Sequence, residues 1–167
     1  YVSCERAFDP SLNNKAVVVL SNNDGCVISR SQEAKDLGIK MGVPAFQIKP
    51  LVDSKRVLVF SSNYVLYGDM SQRVMSTLAN FAADIEIYSI DECFLLFDGF
   101  DKNFDFKTYA SQIRKKVLKN IGIPVSVGFA PTKTLAKLAN KIAKRKENKG
   151  VFVIEDEIDI QTCLEIF

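Results

Sequence analysis

From Asn63 onward the apolar residues switch repeatedly between helical and strand spacing. The order of those switches limits the fold more than any other feature of the chain. Residues 63–82 read as a helix, with Leu66, Met70, Val74, Leu78 and Phe81 recurring at three to four residues as one stripe. Residues 85–90 and 93–97 are strand-like runs that flank just Asp91 and Glu92, which predicts an antiparallel hairpin or a bulged pair. Residues 105–120 form a helix with Tyr109, Ile113 and Val117 on one face and Gly122 beyond its end. A strand at 124–129, a helix at 131–146 and a strand at 151–154 complete the series. Helix, strand, strand, helix, strand, helix, strand is an α+β order, expected to lay helices on one face of an antiparallel sheet. A ferredoxin-like sheet needs one further strand at its front, and nothing before Asn63 supplies it in an obvious way.

The stretch before Asn63 reads as a small α/β unit. Residues 15–21 are a buried strand, followed by the turn signal Asn22-Asn23-Asp24-Gly25. Val27 and Ile28 resume extended structure. Residues 31–37 form a short helix that Ser31 caps and Gly38 ends. Gly42-Val43-Pro44 is a breaker, and residues 56–61 are another strand.

What the chain lacks excludes much chemistry. Its 167 residues contain no histidine, which removes Ser-His-Asp and Cys-His catalysis, histidine metal sites and a histidine general base. The four cysteines (Cys4, Cys26, Cys93, Cys163) form no C-x-x-C pair, which argues against a zinc site and for reduced thiols. No apolar run reaches the roughly 18–20 residues that span a bilayer. Catalysis is left to carboxylates, lysines, tyrosines or thiols.

Net charge is only +2, but seven basic residues from Lys133 to Lys149 face Glu147 alone, a density that suits a polyanion. On the helix at 131–146, Leu135, Leu138, Ala139 and Ile142 make the apolar stripe. Lys133, Lys137, Lys141 and Arg145 recur every four residues on another face. Like charges at that spacing repel unless something anionic faces them; phosphates fit, and so does a plain solvated helix face. Asp91 and Glu92 are open in the same way. On a regular strand they point to opposite faces, whereas a bulge or tight turn brings both to one place, where hard oxygen ligands suit magnesium. A solvated hairpin turn is the alternative.

Several long segments then resemble one family together. Tyr1-Val-Ser-Cys-Glu-Arg6, Val17 to Ile28 (VVVLSNNDGCVI), Glu33 to Gly42 (EAKDLGIKMG), Phe60-Ser-Ser-Asn-Tyr64, Tyr88-Ser-Ile-Asp-Glu92 and Thr132 to Asn140 (TKTLAKLAN) are similar to motifs of the Y-family translesion DNA polymerases, UmuC-like branch. The resemblance runs from Tyr1 to about Ile154. It implies fingers at 1–63, a ferredoxin-like palm without its first strand at 64–154, and the start of a helical thumb at 155–167.

It also implies roles for individual residues. Asp91 and Glu92 are the catalytic carboxylates, holding two Mg2+ ions. Tyr1 is the aromatic gate that rejects ribonucleotides. Lys35, Lys137, Ser29 and Arg30 lie at the incoming triphosphate, Cys26 and Ile28 near the nascent base pair, and Lys133 and Lys141 on DNA. The implied partners are primed DNA template, deoxynucleoside triphosphates, a sliding clamp, a processed UmuD-like accessory subunit and a recombinase filament. The implied setting is the bacterial cytoplasm and nucleoid during the SOS response, with no membrane.

The pattern departs from the family in two ways. The family's first metal-binding aspartate falls before Tyr1, so residues 1–167 alone are expected to be inactive. Gln32 stands where many members have a phosphate-binding tyrosine, a loss Arg30 is placed to offset. A nucleotidyl cyclase and a catalytically dead DNA-binding relative are the competing readings; the segment before Asn63 speaks against the first, and retention of Asp91, Glu92, Lys35 and Lys137 against the second. An unpaired sheet edge could also drive pairing between copies.

Overall fold

The structure, a computed structural model, describes residues 1–97, 99, 105–156, 159–161 and 163. The expected start of a helical thumb therefore falls partly outside the described residues. The chain divides into two compact units, Tyr1–Met70 and Ser71–Phe167, with the boundary inside one helix, α4 (Tyr64–Leu78). Helices and small sheets mix in an α+β architecture, as the spacing predicts. Among the described residues no helix is long and apolar enough to cross a membrane. All four cysteines are free.

The first unit is centred on β1 (Val17–Leu20), buried at all four positions. Val-Val-Val-Leu has no polar face, so it takes the middle of the sheet. β2 (Val27–Arg30) pairs with it antiparallel and β3 (Leu58–Phe60) parallel, in the order β2-β1-β3. Ser31 caps α2 (Gln32–Asp36) by accepting from Ala34 N, and Gly38 follows at φ 81. Its Oγ also accepts from Val17 N at 3.0 Å, so one hydroxyl serves a helix and the sheet.

Two helices here escape the sequence reading. α1 (Val2–Phe8) is only seven residues long. α3 (Ala45–Asp53) contains Pro50, which reads as a breaker. Packing overrides that signal: Ile48 is buried, with Leu51 and Val52 against Val18, Leu20 and Val27.

In the second unit β4 (Asp84–Ile87) and β5 (Cys93–Leu96) form the expected antiparallel hairpin. α5 (Phe106–Ile121) starts at Asp105, whose Oδ1 accepts from Lys107 N and Thr108 N, and stops at Gly122, which takes φ 79. Its predicted stripe holds, with Ile113 and Val117 fully buried. β6 (Val127–Phe129), α6 (Lys133–Ala143) and β7 (Val151–Val153) follow.

Two expectations need correction. The sheet is not a single antiparallel one: among the described residues β6 pairs only with β7, and parallel. The reason is the intervening α6, since a helix crossover returns the chain in the same direction. The buried stripe of α4 runs through Tyr67 and not Leu66; Tyr67 is 2% exposed, and Leu66 is half-buried.

Both small sheets of this unit rest on one core. Ile85, Cys93 and Leu95 from the hairpin and Val127 from β6 pack with Val74, Leu78, Ile113 and Val117. Phe129 stacks on Phe106 at 4.8 Å and lies 4.9 Å from Phe97. α6 is held against β6 more closely than any side chain permits. A Cβ on Gly128 would sit 2.3 Å from Asn140 N and 2.8 Å from Ala136 O. Two bonds add to this grip: Asn140 Nδ2 donates to Ser126 O at 3.0 Å, and Ser126 Oγ donates to Asn140 Oδ1 at 2.9 Å.

Candidate functional site

The connection from β4 to β5 sets the geometry of the acidic pair. The spacing extends the first strand to Ile90, but the ladder ends at the Ile87 and Cys93 partners. Beyond it, Tyr88 N and Ser89 N both donate to Glu92 O at 3.0 Å. One carbonyl thus serves two successive amides, which breaks the strand alternation that separates neighbouring side chains.

The two carboxylates then have different partners. Glu92 Oε2 accepts from Lys137 Nζ at 3.0 Å. Asp91 is exposed, and its Oδ1 accepts from Ser89 Oγ at 2.9 Å.

Lys137 comes from α6, whose apolar stripe of Leu135, Leu138, Ala139 and Ile142 packs as predicted. The ammonium lies 4.2 Å from the centre of the Tyr88 ring. Its pKa is raised, chiefly by the hydrogen bond to Glu92. One helical turn earlier, Lys133 repeats the arrangement: it pairs with Glu86 and lies 5.6 Å from the Phe94 ring. Glu86 and Phe94 are direct cross-strand partners, so they share one face of the hairpin. The rings of Tyr88 and Phe94 meet edge to face at 5.6 Å. Lys141, a turn further on, is exposed.

The lysine row therefore does face anions, and two of them belong to the chain itself. Glu86, Tyr88 and Phe94 escape the sequence reading because their α6 partners lie far along the chain, Lys133 47 positions from Glu86. A signal for them existed. Glu86 and Tyr88 alternate with Ile85 and Ile87, so a charged and an aromatic side chain share the face away from the core.

As a metal-holding pair, Asp91 and Glu92 offer oxygen donors at an accessible place, the chemistry a hard cation takes. Among the described residues no group of three or more His, Cys, Asp or Glu could hold an ion. Two carboxylates still suffice for magnesium when water and substrate phosphates complete its shell.

The remaining candidates lie in the first unit. Tyr1 stacks on Tyr67, with centroids 4.3 Å apart and planes 9° apart, and meets Tyr64 edge-on at 6.2 Å. The Tyr67 hydroxyl donates to Glu5 Oε1 at 2.6 Å. Burial, then that bond, pushes the phenol above the usual tyrosine range. Ser29 Oγ accepts from Val2 N at 3.3 Å, tying β2 to α1. Arg30 Nη1 donates to Ile39 O at 2.7 Å, while its buried Nε has no partner. Lys35 is exposed on α2; Gln32 Nε2, on the same helix, donates to Asp36 Oδ1 at 2.8 Å. Cys26 and Ile28 are half-buried.

Comparison with known proteins places these residues in context. The model of the impB/mucB/samB family matches residues 1–141. Protein SamB of Salmonella typhimurium is 53% identical over 150 residues, covering 90% of this chain and 35% of SamB. Protein UmuC of the same species is 50% identical over 165 residues, covering 98% of this chain and 39% of UmuC. A solved insertion ternary complex of Dbh DNA polymerase superposes with a TM-score of 0.83 at 29% identity, covering all of this chain and 49% of the other. The chain thus spans little more than a third of the curated relatives it matches.

Proposed function

This chain belongs to the impB/mucB/samB family, and from that premise we propose that the intact protein is a DNA-directed DNA polymerase that copies DNA past damaged bases. One observation carries the reading: Lys137, a residue suited to triphosphate, and Glu92, a residue suited to a divalent cation, meet at 3.0 Å on the β4–β5 hairpin. A site for nucleotidyl transfer needs those two chemistries side by side. The likeness to Dbh, a DNA polymerase solved in an insertion ternary complex, supports it.

In this reading residues 1–63 are fingers, 64–154 the palm and 155–167 the beginning of the thumb. Asp91 and Glu92 are the metal ligands and the catalytic carboxylates. Together they would hold two magnesium ions, which would supply charge to activate the primer 3′-hydroxyl and to neutralise the leaving pyrophosphate. The chain's own side chains do the positioning. Lys137 and Lys35, with Ser29 and Arg30, take the triphosphate, and Tyr1 crowds the sugar 2′ position. Lys133 and Lys141 meet the DNA backbone, a contact that weakens as salt rises. Lys133 and Lys137 exchange their carboxylate partners for phosphates on binding.

Primed template and deoxynucleoside triphosphates are the substrates. A sliding clamp, a processed accessory subunit and a recombinase filament are the partners, in the cytoplasm at the nucleoid during the response to DNA damage. Those partners rest on family membership alone.

Primer extension by the intact protein on a lesion-bearing template tests the reading. Asp91→Asn is expected to abolish synthesis while DNA affinity stays within about twofold, because the carboxylate binds metal and not DNA. Loss of synthesis and DNA binding together would point to a folding role and sink the assignment. A cyclic nucleotide product without primer extension would favour a cyclase.

A further inference from the structure

The two lysines of α6 that face the hairpin each have two kinds of partner, and the two kinds differ in what a nucleotide can take away. Lys137 has the Glu92 carboxylate at 3.0 Å and the Tyr88 ring at 4.2 Å. Lys133 has Glu86 and the Phe94 ring. Carboxylates compete directly with phosphates for an ammonium. An aromatic face does not, because it attracts the cation through its quadrupole and leaves the three N–H donors directed elsewhere.

We infer that Tyr88 is a positioning residue for nucleotide binding: its ring is a fixed seat that keeps the Lys137 ammonium over the hairpin while its hydrogen-bond partner changes from Glu92 to the incoming triphosphate. The inference rests on the polymerase reading and adds to it a residue outside the acidic pair and the lysine row. The seat is itself held. Tyr88 N donates to Glu92 O at 3.0 Å, and the ring edge packs against Phe94 at 5.6 Å. The backbone of the seat is thus fixed to the carboxylate residue that Lys137 must release. Without the ring, a lysine side chain leaving Glu92 loses a neutral anchor and regains rotamer freedom that binding must remove again. The ring contact itself does not use the phenol oxygen, which adds a smaller interaction of its own with the ammonium.

Nucleotide affinity measured without chemistry separates the possibilities. The intact protein is bound to primed DNA whose primer ends in a dideoxynucleotide, and the correct deoxynucleoside triphosphate is titrated at equilibrium. Tyr88→Leu is expected to weaken binding about two- to fivefold, the range of a partly exposed cation–ring contact. Tyr88→Phe keeps the ring and is expected to keep most of the affinity, losing only the smaller contribution of the hydroxyl. In a Lys137→Met background Tyr88→Leu is expected to add nothing, since the contact is already gone. In steady-state extension the loss should appear in KM and not in kcat.

Equal weakening by the Phe and Leu changes overturns the seat, and so does a Leu effect of the same size in the Lys137→Met background. Absence of nucleotide binding and synthesis in the unsubstituted protein would instead overturn the polymerase reading beneath it.

Discussion

Gly128→Ala tests how the fold positions the site, because one methyl group is enough to separate α6 from β6. The added Cβ meets three backbone atoms of α6: Asn140 N at 2.3 Å, the Ala139 carbonyl carbon at 2.7 Å and Ala136 O at 2.8 Å. None can rotate away, so the helix must retreat by about 1 Å to reach ordinary contact at 3.4 Å. Overpacking of this kind costs about 1–3 kcal/mol. The same retreat strains the two Ser126–Asn140 hydrogen bonds, worth about 1 kcal/mol each. Against this, alanine loses less backbone entropy on folding, a gain of about 0.4–1 kcal/mol.

The net expectation is a destabilisation of about 2–4 kcal/mol. Urea unfolding of the 167-residue chain measures it, followed by far-ultraviolet circular dichroism because the chain has no tryptophan. Gly68→Ala is the control. It lies inside α4 with nothing within 4 Å of its added Cβ, so the same chemical change should stabilise by about 0.5–1 kcal/mol. A Gly128→Ala shift smaller than about 0.5 kcal/mol would refute the argument, since that is the size of an ordinary surface change.

Further predictions concern the first unit and the helix caps. Tyr67→Phe keeps the stack on Tyr1 but removes the 2.6 Å bond to Glu5; a loss of about 1–2 kcal/mol is expected in urea unfolding, and no loss would count against that bond. Asp105 has its pKa lowered, first by the Thr108 hydroxyl and then by the backbone amides it caps. Its folded value lies below its unfolded one, so its stabilisation is present above about pH 3.9 and fades as pH falls through the lowered value. Asp105→Ala should therefore lower the urea midpoint near neutral pH, with a deficit that shrinks in acid; a deficit independent of pH would argue against the cap. Tyr1→Ala in the intact protein should raise ribonucleotide incorporation relative to deoxyribonucleotide; an unchanged ratio would remove Tyr1 as the sugar gate.

Elements whose signals are local can be read from the order of residues alone. Asp105 and Gly122 bound α5 because a cap and a left-handed stop act within one turn of helix. Ser31 and Gly38 bound α2 for the same reason. The hairpin around Asp91 and Glu92, and the split of α6 into an apolar stripe and a lysine row, follow from the 2.0 and 3.6 periods. The motifs from Tyr1 to Asn140 sufficed to point to the family.

Features that depend on partners distant in sequence emerge only once the chain is folded. Whether β6 and β7 run parallel is settled by α6 folding back between them, not by either strand. Pro50 sits inside a helix because burial of Ile48 outweighs a local penalty. Tyr67 replaces Leu66 on the buried stripe because it stacks on Tyr1 and bonds Glu5, more than sixty positions earlier. The lysine row looked like charge awaiting an anion, yet Glu86 and Glu92 already face it. No spacing rule reveals such pairs, because they exist only where a hairpin face and a helix face are brought together by a core that neither of them encodes alone.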